Sequence, residues 1–229
     1  MRPLALRHPI DHEAARDDEL VALARQADEA AIRALIKRNN QRLFRVARAV
    51  VRDDAEAEDI VQETYVRAFT RLDGFRGDAM FSTWLTRIAL NEALARTRRK
   101  RPVSLPLETA TELEGGQIVM FPTPPTSGAD AEAGRSQVRQ MLEEAIDELP
   151  QAFRIVFVLR DVEELSVEET AAQLSIKPET VKTRLFRARR LMRSAIERRV
   201  SAGFAELFPF MGVRCERMAD RVIVRLRRA

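Results

Sequence analysis

Cysteine and histidine, the residues that form disulfides and bind metals, are scarce in this chain of 229 residues. The sequence contains one cysteine, Cys215, and two histidines, His8 and His12, both near the amino terminus. A single cysteine excludes an internal disulfide, and no cysteine or histidine spacing matches a zinc site. We therefore expect no metal and no other cofactor, and a reducing compartment, the cytoplasm, suits the chain best.

Long apolar stretches are also missing. No uninterrupted apolar run approaches 18 residues, and no apolar signal-peptide core follows Met1 and Arg2. The sequence therefore predicts neither a membrane span nor secretion, and a membrane is not among the expected partners. Hydrophobic residues make up 45% of the chain and charged residues 32%, which is typical of a soluble protein with a packed core.

Basic residues are absent from one long segment, and this absence divides the chain. No Lys or Arg occurs between Pro102 and Gly134, where acidic residues stand among Pro, Gly, Thr and Ser. This composition predicts a flexible acidic linker. The expected organisation is a flexible amino terminus over residues 1–16, a first domain over 17–101, the linker over 102–134, a second domain over 135–199 and a helical tail over 200–229.

Apolar residues recur at intervals of three and four residues on both sides of this linker. Leu20, Leu23 and Ala24 begin such a series in the first half, and Val138 and Met141 begin another in the second. This spacing predicts amphipathic helices. Alternating β-branched runs are rare, and the one strand candidate, residues 155–159, fits a buried helix equally well. The sequence therefore predicts an all-α protein with two small helical domains.

A capping-box pattern, Ser166 followed by Glu169, predicts a short helix in the second domain. Pro178 suits the first turn of a second helix, and Ile176 would fill the turn between them. The residues expected to be buried in this pair are Ala171, Leu174, Val181, Leu185 and Ala188. The stretch from about Ser166 to Arg190 is thus predicted to be a helix-turn-helix that binds double-stranded DNA.

The accessible side of the second helix is rich in donors for phosphates and base edges: Thr180, Lys182, Thr183, Arg184 and Arg187. Nine basic residues occur from Lys177 to Arg199, against only Glu179 and Glu197. The alternative is an ordinary surface hairpin with a solvated basic face. Two residues depart from the usual motif, since Ser175 stands where Gly is common and Thr170 where an apolar residue is common.

A second candidate surface lies in the first domain, where aromatic residues precede a run of arginines. Phe75, Phe81 and Trp84 surround a loop, and six basic residues follow between Arg87 and Arg101. Bases of single-stranded nucleic acid stack on aromatic rings at about 1–3 kcal/mol each, while cations hold the backbone. Asn91 lies on the same helix and suits the edge of an unpaired base. The alternative is that these aromatic residues belong to the core.

Several stretches of the chain resemble one known family. Residues 54–64, 75–78 and 81–85 (DAEAEDIVQET, FRGD and FSTWL) resemble region 2 of bacterial extracytoplasmic-function (ECF) sigma factors, and residues 149–189 resemble their region 4. The occurrence of both in this order is more specific than a lone helix-turn-helix. The resemblance implies a dissociable RNA polymerase subunit that recognises promoter DNA and assists its melting, whereas catalysis belongs to the core enzyme.

The resemblance also implies three groups of site residues. The core polymerase, through its β′ coiled coil, would contact Asp54, Glu58, Asp59, Gln62 and Glu63. The minus-ten promoter element would contact Phe75, Asp78, Ala79, Met80, Trp84, Arg87, Asn91 and Arg98. The minus-thirty-five element would contact Thr180, Lys182, Thr183, Arg184 and Arg187, with the polymerase β flap also near this domain. An anti-sigma factor is a further expected partner.

Other functions and other roles for the tail remain open. The main alternative is a stand-alone repressor or activator of the helix-turn-helix type. A nucleic-acid enzyme is disfavoured, because the sequence has no metal-ligand cluster, no nucleophile beside a base and no phosphate-binding Gly loop. For the tail beyond Arg199, packing on the second domain is the favoured interpretation, and a regulatory contact is the alternative.

Overall fold

The computed structural model describes residues 11–100, 129–205 and 213–227. The α-helices are α1 (Asp17–Ala24), α2 (Glu29–Val51), α3 (Asp54–Thr70), α4 (Phe81–Lys100), α5 (Ala129–Glu148), α6 (Gln151–Phe157), α7 (Val167–Leu174), α8 (Pro178–Ala205) and α9 (Val213–Leu226). A 3₁₀ turn at Leu72–Gly74 and a π-helical turn at Val158–Val162 complete the regular structure. These ranges contain no strand, so the all-α prediction is confirmed. Nor does any helix within them have the length and apolar character needed to span a membrane.

Helices α1 to α4 form the first half and enclose one apolar core. Leu20, Leu35, Leu43 and Leu85 are fully buried in it. Helices α2 and α3 each follow an aspartate whose carboxylate accepts a backbone N–H: Asp28 accepts from Ala31 at 2.9 Å and Asp53 from Glu56 at 2.7 Å. Such caps satisfy donors that the first turn leaves free, so local sequence fixes where the helices start.

Residues 11–16, predicted to be flexible, are held against α2. The Arg38 guanidinium donates to the Glu13 carbonyl at 2.8 Å and to the Asp17 carboxylate at 2.7 Å, and Ala15 packs on the core. One arginine on α2 thus satisfies backbone carbonyls of this stretch, and the flexibility of the amino terminus stays a prediction. Residues 1–10 of the same predicted segment lie outside the described residues.

Helices α5 to α8 form the second half. Ala145 and Leu149 on α5 pack on Ala188, Met192 and Ile196 on α8. Helix α5 starts at Ala129, so residues 129–134 are helical rather than part of the linker, in keeping with the helix preference of Ala and Glu. Helix α8 likewise continues past residue 199 to Ala205. The rest of the predicted linker, residues 102–128, lies outside the described residues.

The helix-turn-helix has the expected local geometry. Ser166 accepts the N–H of Glu169 at 3.0 Å, and Glu169 accepts the N–H of Ser166 at 2.7 Å, a hydrogen bond that lowers the pKa of Glu169. Ser175 ends α7 in the left-handed conformation, with φ of 53°. Thr170 is fully buried where an apolar residue is more common. The serine and the threonine are thus accommodated without loss of the motif.

The two halves pack against each other. Ile155, Leu159 and Leu165 of the second half share a buried cluster with first-half residues that include Val46 and Ile60. The described part of the protein is therefore closed, with α6 and the π-helical turn lying on α2.

The described side chains of α9, residues 216–226, are all exposed, including Met218, Val222 and Leu226. The favoured expectation that the tail packs on the second domain is therefore not met in this segment. Nothing in the sequence signalled this, because a spacing of apolar residues indicates which face a helix can bury but not what covers it. The Cys215 side chain and residues 206–212 lie outside the described part.

Candidate nucleic-acid interfaces and docking cleft

Helix α4 carries a polar stripe along its outer face. Arg87, Asn91 and Arg98 are exposed, and Trp84 at the start of the stripe is half-buried. Their separations of three, four and seven residues place them on one side of a helix. The stripe extends about 21 Å at 1.5 Å per residue. The structure therefore brings these four predicted residues together on one surface.

The aromatic residues at the beginning of this stripe form a compact cluster. The Phe75 ring lies 5.4 Å from that of Phe81 and 5.3 Å from that of Trp84, measured between centroids. Phe81 is buried in the first-half core, whereas Phe75 and Trp84 are half-buried. Arg25 holds the loop by donating to the Phe75 carbonyl at 2.7 Å. The core interpretation thus holds for Phe81, and the other two rings keep an accessible part.

The loop before α4 presents the remaining residues of the predicted minus-ten site. Asp78, Ala79 and Met80 are exposed, and Met80 has 63% of its surface accessible. Gly77 turns the chain with φ of +80°, a conformation that side-chain-bearing residues rarely adopt. The Met80 carbonyl accepts the N–H of Trp84 at 3.1 Å, which fixes the start of α4. A firmly anchored helix therefore follows an open loop.

The five acidic and amide residues predicted on α3 divide between two sides of that helix. Glu58 and Gln62 line a cleft of about 600 Å³ between α2 and α3, whose other lining residues are Asn40, Gln41, Phe44, Val61 and Tyr65. Burial raises the pKa of the Tyr65 hydroxyl, which donates to the Ile36 carbonyl at 3.1 Å. The cleft thus has an apolar floor with a carboxylate and amides at its edge.

Asp59 and Glu63 lie on the other side of α3, facing α4. Beneath them Glu92 is buried between two arginines, with contacts of 2.7 Å to Arg67 and 3.1 Å to Arg96. Sequence reasoning missed Glu92, although its spacing of four residues from Arg96 is the usual one for a helical ion pair. Asp54, at the start of α3, bonds to Arg48 at 2.6 Å. The predicted polymerase contacts are therefore not one continuous patch.

The outer face of α8 presents the predicted duplex-binding residues. Lys182 and Thr183 are exposed, and Thr180, Arg184 and Arg187 are half-buried. The buried face of the same helix, Val181 and Leu185, packs on Ala171 of α7 in a small core. Arg189 is held by Asp161 at 2.6 and 2.9 Å, and this hydrogen bonding raises the pKa of Arg189. The predicted duplex-binding face is thus carried on a fixed support.

Phe186, which sequence reasoning overlooked, is exposed over 54% of its surface on this helix. It follows the exposed Thr183 by three residues and therefore lies on the same side. An exposed aromatic on a recognition helix can contact the methyl group of thymine in the major groove. Its break from the buried periodicity of Leu185 and Ala188 was the signal available in the sequence.

Within residues 11–100, 129–205 and 213–227, no group of three or more His, Cys, Asp or Glu residues could hold a metal ion.

A helical domain with an aromatic and basic stripe, joined to a helix-turn-helix domain, defines a two-domain DNA-binding protein. Family models for sigma-70 region 2 and sigma-70 region 4 match residues 35–103 and 139–192. RNA polymerase sigma-H factor of Pseudomonas aeruginosa is 31% identical over 186 residues, which cover 80% of this chain and 94% of that protein. The chain therefore belongs to the sigma-70 family and is an ECF-type sigma factor, a transcription initiation factor.

Other similar proteins agree with this assignment. The ECF RNA polymerase sigma-E factor of Escherichia coli K12 is 31% identical over 185 residues, covering 79% of this chain and 94% of that protein. The structure of CnrH in complex with the cytosolic domain of CnrY matches with a TM-score of 0.54 and 25% identity, over 79% of this chain and 97% of that one. The stand-alone repressor or activator is thereby disfavoured.

The fold also resembles the sigma factor RpoE of Bartonella quintana, solved in complex with the anti-sigma factor NepR. The TM-score is 0.50 at 20% identity, over 79% of this chain and 96% of that one.

Proposed function

We propose that this sigma factor uses three separate surfaces to bind the polymerase and the two promoter elements. The cleft between α2 and α3 binds the core polymerase, the outer face of α4 holds the opened strand of the minus-ten element, and the outer face of α8 reads the minus-thirty-five duplex. The observation that carries the proposal is the α4 stripe, which aligns the half-buried Trp84 ring, the exposed Asn91 amide and two exposed arginines on one face of a helix, a combination that suits an unpaired strand.

The cleft has the chemistry of a docking site for a basic amphipathic helix. Its floor of Phe44, Val61 and Tyr65 would take an apolar side chain, while Glu58 at the edge would pair with a cation. These features support the β′ coiled coil of the polymerase as the occupant. The cleft does not include Asp54, Asp59 and Glu63. We therefore propose that these carboxylates attract the basic partner electrostatically from a distance and do not pack against it directly.

The α4 stripe suits a strand that has been opened. A base that leaves the duplex loses stacking worth a few kcal/mol, so it needs a receiving surface. The half-buried rings of Phe75 and Trp84 keep accessible surface on which a base could stack, and the exposed amide of Asn91 offers both a donor and an acceptor. Arg87 and Arg98 would follow the phosphates, and the exposed loop at Asp78, Ala79 and Met80 would close over the base.

The α8 face suits duplex DNA. Arg184 and Arg187 can donate to guanine or phosphate, while Thr180, Lys182 and Thr183 lie beside them. The polymerase β flap is the expected protein neighbour of this domain. We assign no covalent chemistry to the chain, since nucleotide addition is performed by the core enzyme.

The expected place of action is the cytoplasm, where core polymerase and chromosome are found. An anti-sigma factor is a further partner of this proposal, supported by the two similar sigma factors that were solved as complexes.

Reconstituted transcription tests this function. Purified protein is added to sigma-free core polymerase and a genomic promoter library, and transcript starts are mapped. We expect a defined promoter set, lost in the Arg184→Ala/Arg187→Ala variant and kept in Arg33→Ala, which removes an exposed arginine paired within α2. Absence of promoter-specific starts, while a known sigma factor works in the same reaction, would refute the proposal.

A further inference from the structure

A single arginine at the end of α1 holds the loop that precedes α4. The Arg25 guanidinium donates to the Phe75 carbonyl at 2.7 Å, although 50 residues separate the two in the chain. Within the parts of the chain that the structure describes, no other side chain from outside the loop forms a hydrogen bond to residues 75–80. Arg25 therefore supplies the side-chain hydrogen bond that joins this loop to the rest of the first half.

The backbone of Arg25 is a firm base for this contact. Leu20, Val21 and Ala24, which precede it on α1, are buried in the first-half core. The Arg25 N–H donates to the Val21 carbonyl at 3.0 Å, as in the last turn of a helix. Phe75, at the other end of the contact, packs partly buried against the same core. The hydrogen bond therefore forms between groups that are already near each other, which lowers its entropic cost.

The contact fixes one end of a short exposed segment. Phe75 also donates its N–H to the Leu72 carbonyl at 3.0 Å, so both polar backbone groups of Phe75 are bonded. At the other end, the Met80 carbonyl accepts N–H groups from the first turn of α4. Between these points lie the exposed residues 76–79, which turn at Gly77 with φ of +80°. Freeing one end lengthens the unrestrained loop, and a longer loop samples more conformations.

The chain contains its own reporter of the position of this loop. Trp84 is the only tryptophan in the sequence. Its half-buried ring lies 5.3 Å from the Phe75 ring, measured between centroids, and so contacts the residue whose carbonyl Arg25 holds. Movement of Phe75 therefore changes how far the Trp84 ring is accessible to solvent, and the fluorescence of Trp84 can follow it without a label.

We infer that Arg25 is a positioning residue for promoter opening, because by holding the Phe75 carbonyl it keeps residues 76–80 beside the rings that receive an extruded base. This inference rests on the proposed function. A loop that is already in place loses less conformational entropy when it closes over the base. Loss of the Arg25 hydrogen bond should therefore weaken opening, while the cleft between α2 and α3 and the outer face of α8 stay unchanged.

Arg25→Met tests the contact in the free protein, because it keeps the aliphatic stem of an exposed side chain and removes every donor. Acrylamide should quench the fluorescence of Trp84 more strongly in this variant than in the original protein. Arg25→Lys, which keeps a charged donor, should lie between the two. Arg33→Met is the matched control, because it removes an exposed arginine paired within α2, and it should not change the quenching. Equal quenching in Arg25→Met and the original protein would overturn the inference.

Promoter opening tests the consequence of the contact. Each variant is combined with core polymerase on a promoter found by reconstituted transcription, and permanganate footprinting measures melting. Opening should fall about fivefold in Arg25→Met, the net contribution of one hydrogen bond, with partial recovery in Arg25→Lys and no change in Arg33→Met. Binding to core polymerase, binding to minus-thirty-five duplex and the urea unfolding midpoint should stay at their original values in all three variants.

Two results would contradict the positioning role. Normal opening by Arg25→Met would overturn it, and so would a parallel loss of polymerase binding and stability, which would mean that Arg25 only supports the fold. Failure of the original protein to open any promoter, in a reaction where a known sigma factor does so, would instead refute the proposed function. The quenching of Trp84 in the free protein does not depend on that outcome.

Discussion

The two candidate DNA-binding surfaces are supported in different ways. The α8 face stands on a small fixed core of Val181 and Leu185, entered through a capped helix and a tight turn. The α4 stripe begins at an exposed loop and at rings that are only half-buried. Duplex DNA presents a regular groove, which a rigid helix can match, whereas an extruded base needs an accessible receiving surface. We therefore expect changes at α8 that lower the unfolding free energy to weaken DNA binding as well. At α4 a change should be able to weaken DNA binding while the unfolding free energy stays the same.

The largest effect expected from this comparison is that of Leu185→Ala. Leu185 is buried in the core that holds α8 against α7, so truncation leaves a cavity and should cost about 2–5 kcal/mol of unfolding free energy. Duplex promoter binding should fall with it. Urea unfolding followed by circular dichroism, with fluorescence anisotropy on minus-thirty-five duplex, measures both.

Leu191→Ala is the matched control, because Leu191 is on the same helix and 36% exposed. Its loss of stability should be clearly smaller. Equal losses in the two variants would mean that the small core does not support the recognition face.

Asn91→Ala should have a smaller and more selective effect at the α4 stripe. The exposed amide has no place in the core, so the unfolding free energy should stay within about 0.5 kcal/mol of the original value. Loss of hydrogen bonds to a base should weaken open-complex formation by about 1–2 kcal/mol, roughly fivefold to thirtyfold. Permanganate footprinting of the melted promoter measures opening, and binding to core polymerase should not change.

Gln26→Ala, which removes an exposed amide elsewhere in the first half, is the control for this prediction. If Asn91→Ala reduced polymerase binding and opening equally, the assignment of Asn91 to an unpaired base would be wrong.

The sequence predicted the helix-turn-helix well because its determinants are local. Ser166 and Glu169 are three residues apart, and Val181 and Leu185 are four apart, so each signal lies within one or two helical turns. The same holds for the stripe on α4, whose residues share a face by spacing alone. The spacing did not indicate which aromatic rings on α4 are buried. Phe81 and Trp84 are both on this helix, and they differ in burial because different residues pack on them.

Contacts between distant parts of the chain were beyond sequence reasoning. Glu163 and Arg42 are separated by 121 residues, and Gln173 and Thr83 by 90. No periodicity relates such positions, because their approach depends on how two finished domains fit together. The same limit explains the held residues 11–16, where Arg38 on α2 bonds to Glu13.

Ser175→Gly should produce the smallest change in unfolding free energy, and it tests whether the backbone conformation of Ser175 fixes the turn before α8. Ser175 adopts φ of 53°, which is unfavourable for a residue with a side chain. Glycine removes this strain, but it also gives the unfolded chain more conformational entropy, which opposes the gain. The net increase in unfolding free energy should be about 0.5–1 kcal/mol. Ala172→Gly, at an exposed helical position on α7, should instead cost a similar amount. Urea unfolding midpoints of the two variants and the original protein show whether each substitution raises or lowers stability. A loss of stability in both variants would show that the serine hydroxyl, rather than the backbone conformation, determines the stability of this turn.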